Sequence, residues 1–258
     1  MINALILAGG LGTRLREETE FKPKPMVDVG GRPILWHIMK NLSQQGVSNF
    51  TIATGYKGDV IKDYFINYYA RNNDITVDLG NESRITYYGN HDESKWKVTI
   101  ANTGEATLTG GRVFKSKSYL GGGRFLCTYG DGLADINLTE LISFHESHGR
   151  LATVTTVKPL SRFGLMEVDT DGGVIQFREK PVMDGWVNAG FFIFEQEIFE
   201  YLDAECTLES EPLMKLAADG QLSAYRHEGF WQPMDTFRES TFLNDLWVRN
   251  KAPWKNWE

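Results

Sequence analysis

Cysteine is scarce in this chain of 258 residues: only Cys127 and Cys206 are present, and they lie far apart. A disulfide framework is thereby excluded, and Cys127, set in the apolar run Phe125-Leu126-Cys127, reads as a reduced core thiol suited to a reducing cytoplasm. Long apolar runs are missing too. None approaches the roughly 18 to 20 residues of a bilayer span, so no membrane partner is expected. The opening stretch Ile2 to Ala8 has no basic flank and breaks at Gly9, too short for a secretory core. The five histidines, His37, His91, His145, His148 and His227, show neither metal-ligand spacing nor a partnered nucleophile and read as surface or helix residues. Basic residues are outnumbered, 27 Lys and Arg against 34 Asp and Glu, for a formal charge of -7. With no basic stripe, nucleic acid is not an expected partner, and any polyphosphate must be held by a local concentration of Lys and Arg.

What is present is the composition of an ordinary globular protein, 41% hydrophobic and 24% charged, and a single domain over residues 1–258 is the expectation. The apolar run Ala4 to Ala8 ends in Gly9-Gly10-Leu11-Gly12, which reads as a buried parallel strand delivering the chain into a glycine-rich loop. After Pro33 the residues Ile34, Leu35, Ile38, Met39 and Leu42 fall at helical spacing, with Gly46 as the stop. Phe50 to Ala53 then reads as a strand, Val60 to Tyr69 as a helix and Ile75 to Leu79 as a third strand. This alternation predicts a parallel sheet covered on both faces.

Gly80 to Gly123 is less regular and predicts crossing hairpins and a binding loop. Beyond it, Arg124 to Tyr129 is a strand leading into Gly130-Asp131-Gly132, Leu138 to His148 a helix, and Ala152 to Val157 a strand. Asp169 to Gly173 turns between strands at Leu165 to Val168 and Val174 to Phe177. Phe237 to Asn250 reads as an amphipathic helix. Trp231, Trp247, Trp254 and Trp257 read as packing or subunit contacts.

Chemistry concentrates in Gly9-Gly10-Leu11-Gly12-Thr13-Arg14-Leu15, followed by Lys22-Pro23-Lys24-Pro25-Met26. Glycines let successive backbone N–H groups converge on phosphate oxygens, Arg14 adds a charged fork, and Lys24 adds a point charge between two prolines. A P-loop would need Gly-Lys-Ser/Thr, and a dinucleotide fingerprint a third glycine where Leu15 stands. Both fit poorly, which leaves a triphosphate loop of another kind, or a tight turn with surface charge. Asp131 follows an apolar strand between two glycines, at the edge of the sheet where ligands bind in open α/β folds. Taken alone it is as readily a turn residue, and Asp235 as readily a cap of the last helix.

In these residues the chain resembles the sugar-1-phosphate nucleotidyltransferases, whose G-G-x-G-T-R-L and P-K-P are matched by Gly9 to Leu15 and Pro23 to Pro25. Tyr129-Gly130-Asp131, Phe163-Gly164, Glu179-Lys180-Pro181 and Asn188-Ala189-Gly190-Phe191 extend the likeness along the chain. Thr109-Gly110-Gly111-Arg112, Phe230 to Thr236 and Lys251-Ala252-Pro253-Trp254 point to the cytidylyltransferase branch. Arg16-Glu17-Glu18-Thr19 departs from the Pro-Leu-Thr segment of many uridylyl and thymidylyl enzymes and puts those activities in doubt.

The resemblance implies a Rossmann-like α/β three-layer sandwich with a mostly parallel mixed sheet, a homo-oligomer, Mg²⁺ as cofactor, and CTP and glucose 1-phosphate as substrates. It implies nucleotide contacts from Leu7, Ala8, Gly9, Gly10, Leu11, Gly12, Thr13, Arg14, Lys24, Thr107, Gly111, Arg112 and Gly130, with Arg112 aimed at cytosine unless it caps the following helix or sits in solvent. It implies sugar-phosphate contacts from Gly164, Glu179, Lys180 and Asn188, and metal binding by Asp131 and Asp235. The chemistry it implies is in-line attack on the α-phosphorus, with Arg14, Lys24 and Asp131 as the catalytic set. A sugar phosphate is already ionised, so no general base is required. The alternatives are a UTP or dTTP enzyme, or a non-catalytic sugar-nucleotide-binding module. A glycosyltransferase is disfavoured because Gly132 and Leu133 stand where an Asp-x-Asp would continue.

Overall fold

The computed structural model describes residues 2–12, 15–80, 84–161 and 163–258. The first half runs β1 (Asn3–Ala8), α1 (Arg16–Thr19), the two-residue strands β2 (Asp28–Val29) and β3 (Arg32–Pro33), α2 (Ile34–Gln44), β4 (Asn49–Thr54), α3 (Gly58–Ile66), α4 (Tyr68–Asn72), β5 (Asp74–Asp78), β6 (Arg84–Tyr88), β7 (Lys97–Asn102) and α5 (Thr109–Lys115). The second half runs β8 (Phe125–Tyr129), β9 (Gly132–Ala134), α6 (Leu138–His148), β10 (Ala152–Val157), β11 (Leu165–Val168), β12 (Val174–Arg178), β13 (Val187–Phe194), α7 (Glu211–Ala218), β14 (Leu222–Arg226), β15 (Trp231–Pro233) and α8 (Phe237–Val248).

Seven strands form the central sheet in the order β14-β10-β13-β8-β1-β4-β7. β1 pairs in parallel with β4 and β8, β4 with β7, and β10 with β14, while β13 runs antiparallel to both neighbours. The expected mostly parallel mixed sheet is therefore present. Its two faces are packed separately, because successive side chains of a strand point to opposite sides. From β1, Ala4, Ile6 and Ala8 join Leu35 and Met39 of α2 and Leu243 of α8, whereas Leu5 and Leu7 join Val113 of α5 and Leu216 of α7. The result is three layers. Each such fully buried Leu or Ile stabilises the fold by about 1.5–3 kcal/mol.

One predicted strand is real but misplaced. Ile75 to Leu79 falls in β5, which pairs only with β6 and is exposed along its length; the next parallel strand after β4 is β7. Apolar Ile75 and Val77 alternate with Thr76 and Asp78, a pattern with one apolar face that cannot fill a position covered on both sides. The predicted β11–β12 pair forms as expected, and it too is exposed at every residue.

The aromatic tail is packing. Trp254 is fully buried, its carbonyl accepting from Asn41 Nδ2 at 2.7 Å and its Nε1–H donating to His37 Nδ1 at 3.3 Å. His37, expected to be a surface or helix residue, lies on α2 with no exposure at all. His145 is likewise buried on α6. In His37, Nε2–H donates to the Val29 carbonyl at 2.7 Å, which leaves Nδ1 as the acceptor for Trp254. Burial pushes its pKa down to about 4, so the ring is neutral. Among the described residues no helix is long and apolar enough to cross a membrane.

Candidate active site

The candidate site sits where β1 and β8 end side by side. Gly130 N–H donates to the Leu7 carbonyl at 2.9 Å, locking the turn after β8 to the last residues of β1. A Cβ at Gly130 would fall 2.9 Å from Pro25 Cγ, so only glycine lets the Lys24–Met26 turn approach. That turn is a 3₁₀ helix introduced by Pro23, whose fixed φ of -68° starts it, and it presents Lys24 inward. Gly12 takes a φ of +62° and its carbonyl accepts from Leu15 N–H and the Thr19 hydroxyl, fixing the exit of the loop.

The second carboxylate arrives from far along the chain. β15 pairs with β9 so that Pro233 faces Gly132, and Met234 N–H donates to the Asp131 carbonyl at 2.8 Å. Asp235 is thereby set beside Asp131. The helix that follows is capped by Thr236 rather than Asp235: Thr236 Oγ1 accepts from Glu239 N–H, and Glu239 Oε2 accepts from the N–H groups of Asp235 and Thr236. The cap takes its acceptors from Thr236 and Glu239 and makes no use of the Asp235 carboxylate.

Lys24 joins the two. Its Nζ lies 2.6 Å from Asp131 Oδ2 and 2.6 Å from Asp235 Oδ1, with the lysine side chain 11% exposed. Burial alone would favour the neutral amine, but the charge and hydrogen bond of Asp131, and then those of Asp235, outweigh it and raise the pKa. Lys24 is a held ammonium. Together with Leu7, Ala8, Gly10, Gly12, Pro25 and Gly130 the three line a cavity of about 240 Å³. Two carboxylate oxygens that share one ammonium are within reach of one small hard cation, and oxygen donors suit such an ion. Among the described residues no group of three or more His, Cys, Asp or Glu could hold a metal. A cation here would complete its shell with phosphate oxygens and water.

Leu7, Ala8, Gly10, Gly12, Lys24, Gly130, Asp131 and Asp235 are thus brought together. Leu11 is exposed beside the cavity, and Thr13 and Arg14 lie outside the described residues. Gly9 is buried beneath the loop, where a Cβ would fall 2.0 Å from Arg112 Nη1. Arg112 differs from the reading that aims its guanidinium at a base. It lies within α5, 4% exposed, with Nη1 donating to Thr54 O, Thr103 Oγ1 and Gly104 O, and Nη2 to Gly9 O and Glu105 O. Its terminal nitrogens tie the ends of β1, β4 and β7 together, so a two-donor fork is not left over for a ligand. Gly111 is likewise a packing glycine, since a Cβ there would meet the Ala204 carbonyl at 2.3 Å. The Thr107 hydroxyl donates to Thr103 O at 2.6 Å and accepts from Lys115 Nζ at 2.8 Å.

The four sugar-phosphate candidates do not line the cavity. Asn188 stands on β13, its Oδ1 accepting from Gly190 N–H at 2.7 Å. A Cβ at Gly164 would crowd the Phe177 ring at 2.7 Å and Glu179 Oε2 at 3.0 Å, which puts Gly164 and Glu179 side by side at the base of the exposed β11–β12 pair. Lys180 has a left-handed φ of 45° and sits 3.5 Å from Glu179, both side chains largely in solvent. Pro25 and Met234 were not among the predicted site residues. Pro25 had a visible signal in the Pro-Lys-Pro segment, whereas Met234 acts through its backbone alone.

Comparison with known proteins places the chain in a family. The model of the nucleotidyl transferase family matches residues 3–236. A glucose-1-phosphate cytidylyltransferase of Salmonella typhi is 48% identical over 260 residues, covering 100% of both chains. A probable glucose-1-phosphate cytidylyltransferase of Bacillus subtilis is 44% identical, covering 99% of this chain and 100% of that one. Among solved structures, HddC from Yersinia pseudotuberculosis is 25% identical with a TM-score of 0.71, covering 96% of this chain and 100% of that chain.

Proposed function

The chain belongs to the nucleotidyl transferase family, and we propose that its cavity transfers a cytidylyl group from CTP to glucose 1-phosphate, giving CDP-glucose and pyrophosphate. The observation that carries this reading is the Lys24–Asp131–Asp235 cluster beneath a glycine-rich loop, a site with charges of both signs and, among its described residues, no His, Cys or Ser to act as a partnered nucleophile. Joining two phosphate anions requires no proton transfer; it requires that their repulsion be offset and their geometry held.

The loop amides of Gly10 to Gly12 would hold the triphosphate, and the resemblance adds Arg14. Mg²⁺ fits the carboxylate pair, where it would supply Lewis-acid charge at the phosphate oxygens. Lys24 would turn its ammonium from the carboxylates to the α-phosphate and leaving group. Gly164, Glu179, Lys180 and Asn188 would receive glucose 1-phosphate, Lys180 bearing the charge. In-line displacement then forms the bond from the sugar-phosphate oxygen to the α-phosphorus and breaks the bond to pyrophosphate. Base selection by the Thr107–Arg112 stretch would have to use backbone groups or the Arg112 Nε–H, since the terminal nitrogens are committed.

Exposed Met166, Ile175 and Phe177 on the β11–β12 pair support the homo-oligomer, because an apolar strand pair in solvent gains by being covered. A cytoplasmic setting belongs to the same reading, with Cys127 buried and its thiol pKa raised by that burial. A non-catalytic binding module is disfavoured because a sensor has no use for the ammonium held between two carboxylates. Pyrophosphate release from glucose 1-phosphate with each of the four common nucleoside triphosphates, with and without Mg²⁺, tests the reading. Release with CTP and Mg²⁺ well above the others is the expected result, and no release with any nucleotide would overturn it.

A further inference from the structure

The segment from Lys22 to Asp28 has two sides. Lys24 and Pro25 line the catalytic cavity, while Lys22, Met26 and Asp28 line a second cleft, of about 970 Å³, closed on its far side by α3, α4 and the start of β5. Lys22 and Asp28 neutralise one another at 2.8 Å. Arg32 and Arg71 do not have such partners: among the described residues neither makes an ion pair. Arg32 donates to Asn72 Oδ1 and lies 5.3 Å from the Trp36 ring centre, and Arg71 lies 5.9 Å from that of Tyr64. In a chain of formal charge -7, a cleft lined by Lys22, Arg32 and Arg71 against Asp28 and Asp74, with neither guanidinium in an ion pair among the described residues, carries an excess of positive charge.

A second observation points the same way. Tyr64 is 7% exposed, its hydroxyl is fully buried, and that hydroxyl faces Arg32, which can only donate, so among the described residues its hydrogen has no acceptor. Burial raises the Tyr64 pKa, while the charge and hydrogen bond of Arg32 and the charge of Arg71 oppose it, so both guanidinium groups lie close to this hydroxyl. The hydrogens of buried hydroxyls almost always find an acceptor, so one that does not marks a place where an acceptor is missing. The other walls suit a larger molecule: Tyr88 presents a half-exposed ring, and Asp74 and Asn73 offer acceptors at the rim.

We propose that this cleft is a second binding site, for a phosphate ester of nucleotide size. Its phosphate oxygens lie between Arg32 and Arg71 and accept from the Tyr64 hydroxyl; its ring lies against Tyr88, and its hydroxyl or amino hydrogens reach Asp74 and Asn73. Arginine forks match phosphate geometry, and the Lys22–Asp28 pair leaves their charge undiminished. The site shares the Lys22–Asp28 segment with the cavity and no side chain of the catalytic cluster.

Equilibrium dialysis of the full chain against CTP, CDP-glucose and glucose 1-phosphate, each alone with Mg²⁺, decides it. At least one of the three binds at two equivalents per chain. Arg71→Gln, at an exposed position, weakens one of those equivalents about tenfold, as the loss of a charge-assisted hydrogen bond does. Tyr64→Phe weakens the same equivalent and changes the melting temperature little, because the hydroxyl hydrogen has no acceptor to lose in the free protein. One equivalent for all three ligands, or two that both variants leave unchanged, overturns the proposal. Failure of cytidylyl transfer would leave this count untouched, so the two readings fail separately.

Discussion

In the proposed reaction Lys24 and Lys180 would supply the same charge, and the fold treats them in opposite ways. Lys24 is enclosed at the end of the sheet, with two carboxylates at 2.6 Å and a backbone fixed by flanking prolines. Lys180 is 44% exposed at the foot of a strand pair that stands in solvent, with Glu179 its ion-pair partner among the described residues. The proposed nucleotide side is thus assembled before any ligand arrives, by strand pairing and by the close packing at Gly130. Of the residues proposed for the sugar phosphate, Gly164, Glu179 and Lys180 stand at the exposed β11–β12 pair and Asn188 on β13 of the central sheet, and none lines the cavity. What differs is the order in which binding energy is used: the first half is paid for by folding, the second by the substrate.

The largest effect should come from the enclosed lysine. Lys24→Met is expected to lower turnover by about a hundredfold or more, since it removes charge stabilisation where water is sparse. Pyrophosphate release at saturating substrates measures it, and turnover within a few-fold of the parent would mean that the two lysines do not differ in the way their surroundings indicate. Asp131→Asn should come next, with activity falling by at least about tenfold and the Mg²⁺ titration moving to higher concentration, because one hard anionic donor is gone. An unchanged titration would make Asp131 a turn residue, supporting Lys24 and nothing else.

Burial also controls charge behind the cavity, at His37. Its pKa in the folded chain is lowered to about 4, first by burial and then by Arg32, against about 6.5 when unfolded. The neutral ring therefore contributes its full stability above pH 6.5, and that contribution is lost as pH falls toward 4, by up to about 3 kcal/mol. Urea unfolding at pH 7 and pH 5 should show the loss, and His37→Gln should flatten it. The smallest effect belongs to the exposed lysine: Lys180→Ala should raise KM for glucose 1-phosphate about tenfold, leave kcat near its parent value, and change stability by less than about 0.5 kcal/mol. An equal loss of kcat would show that Lys180 closes onto the reacting phosphate.

The same division explains what could be read along the chain. β1 and its loop are legible because a run apolar at every residue must be covered on both sides, and glycines at its end have few other uses. Asp131 is legible for the same reason, at the end of β8. Asp235 is not, except through resemblance: its place beside Asp131 depends on β15 finding β9, a pairing between segments that local pattern does not connect. β5 shows its alternation but not its partner, so its strand is visible and its sheet is not. Arg112 is the plainest case of a residue whose neighbours matter more than its spacing. After two glycines it looks free to meet a ligand, yet one of those glycines admits the Ala204 carbonyl and the guanidinium lies beneath Gly9.

Lys24 would hold the carboxylate pair in the place proposed for a divalent cation, so that ammonium and metal would compete for the same oxygens. Mn²⁺ binding without nucleotide, followed by the loss of its free electron-spin signal, tests that directly in the parent chain and in Lys24→Met. Removing one positive charge from between Asp131 and Asp235 should tighten Mn²⁺ by about tenfold or more, as expected for relief of a repulsion at contact distance. Equal affinity in the two proteins would contradict it.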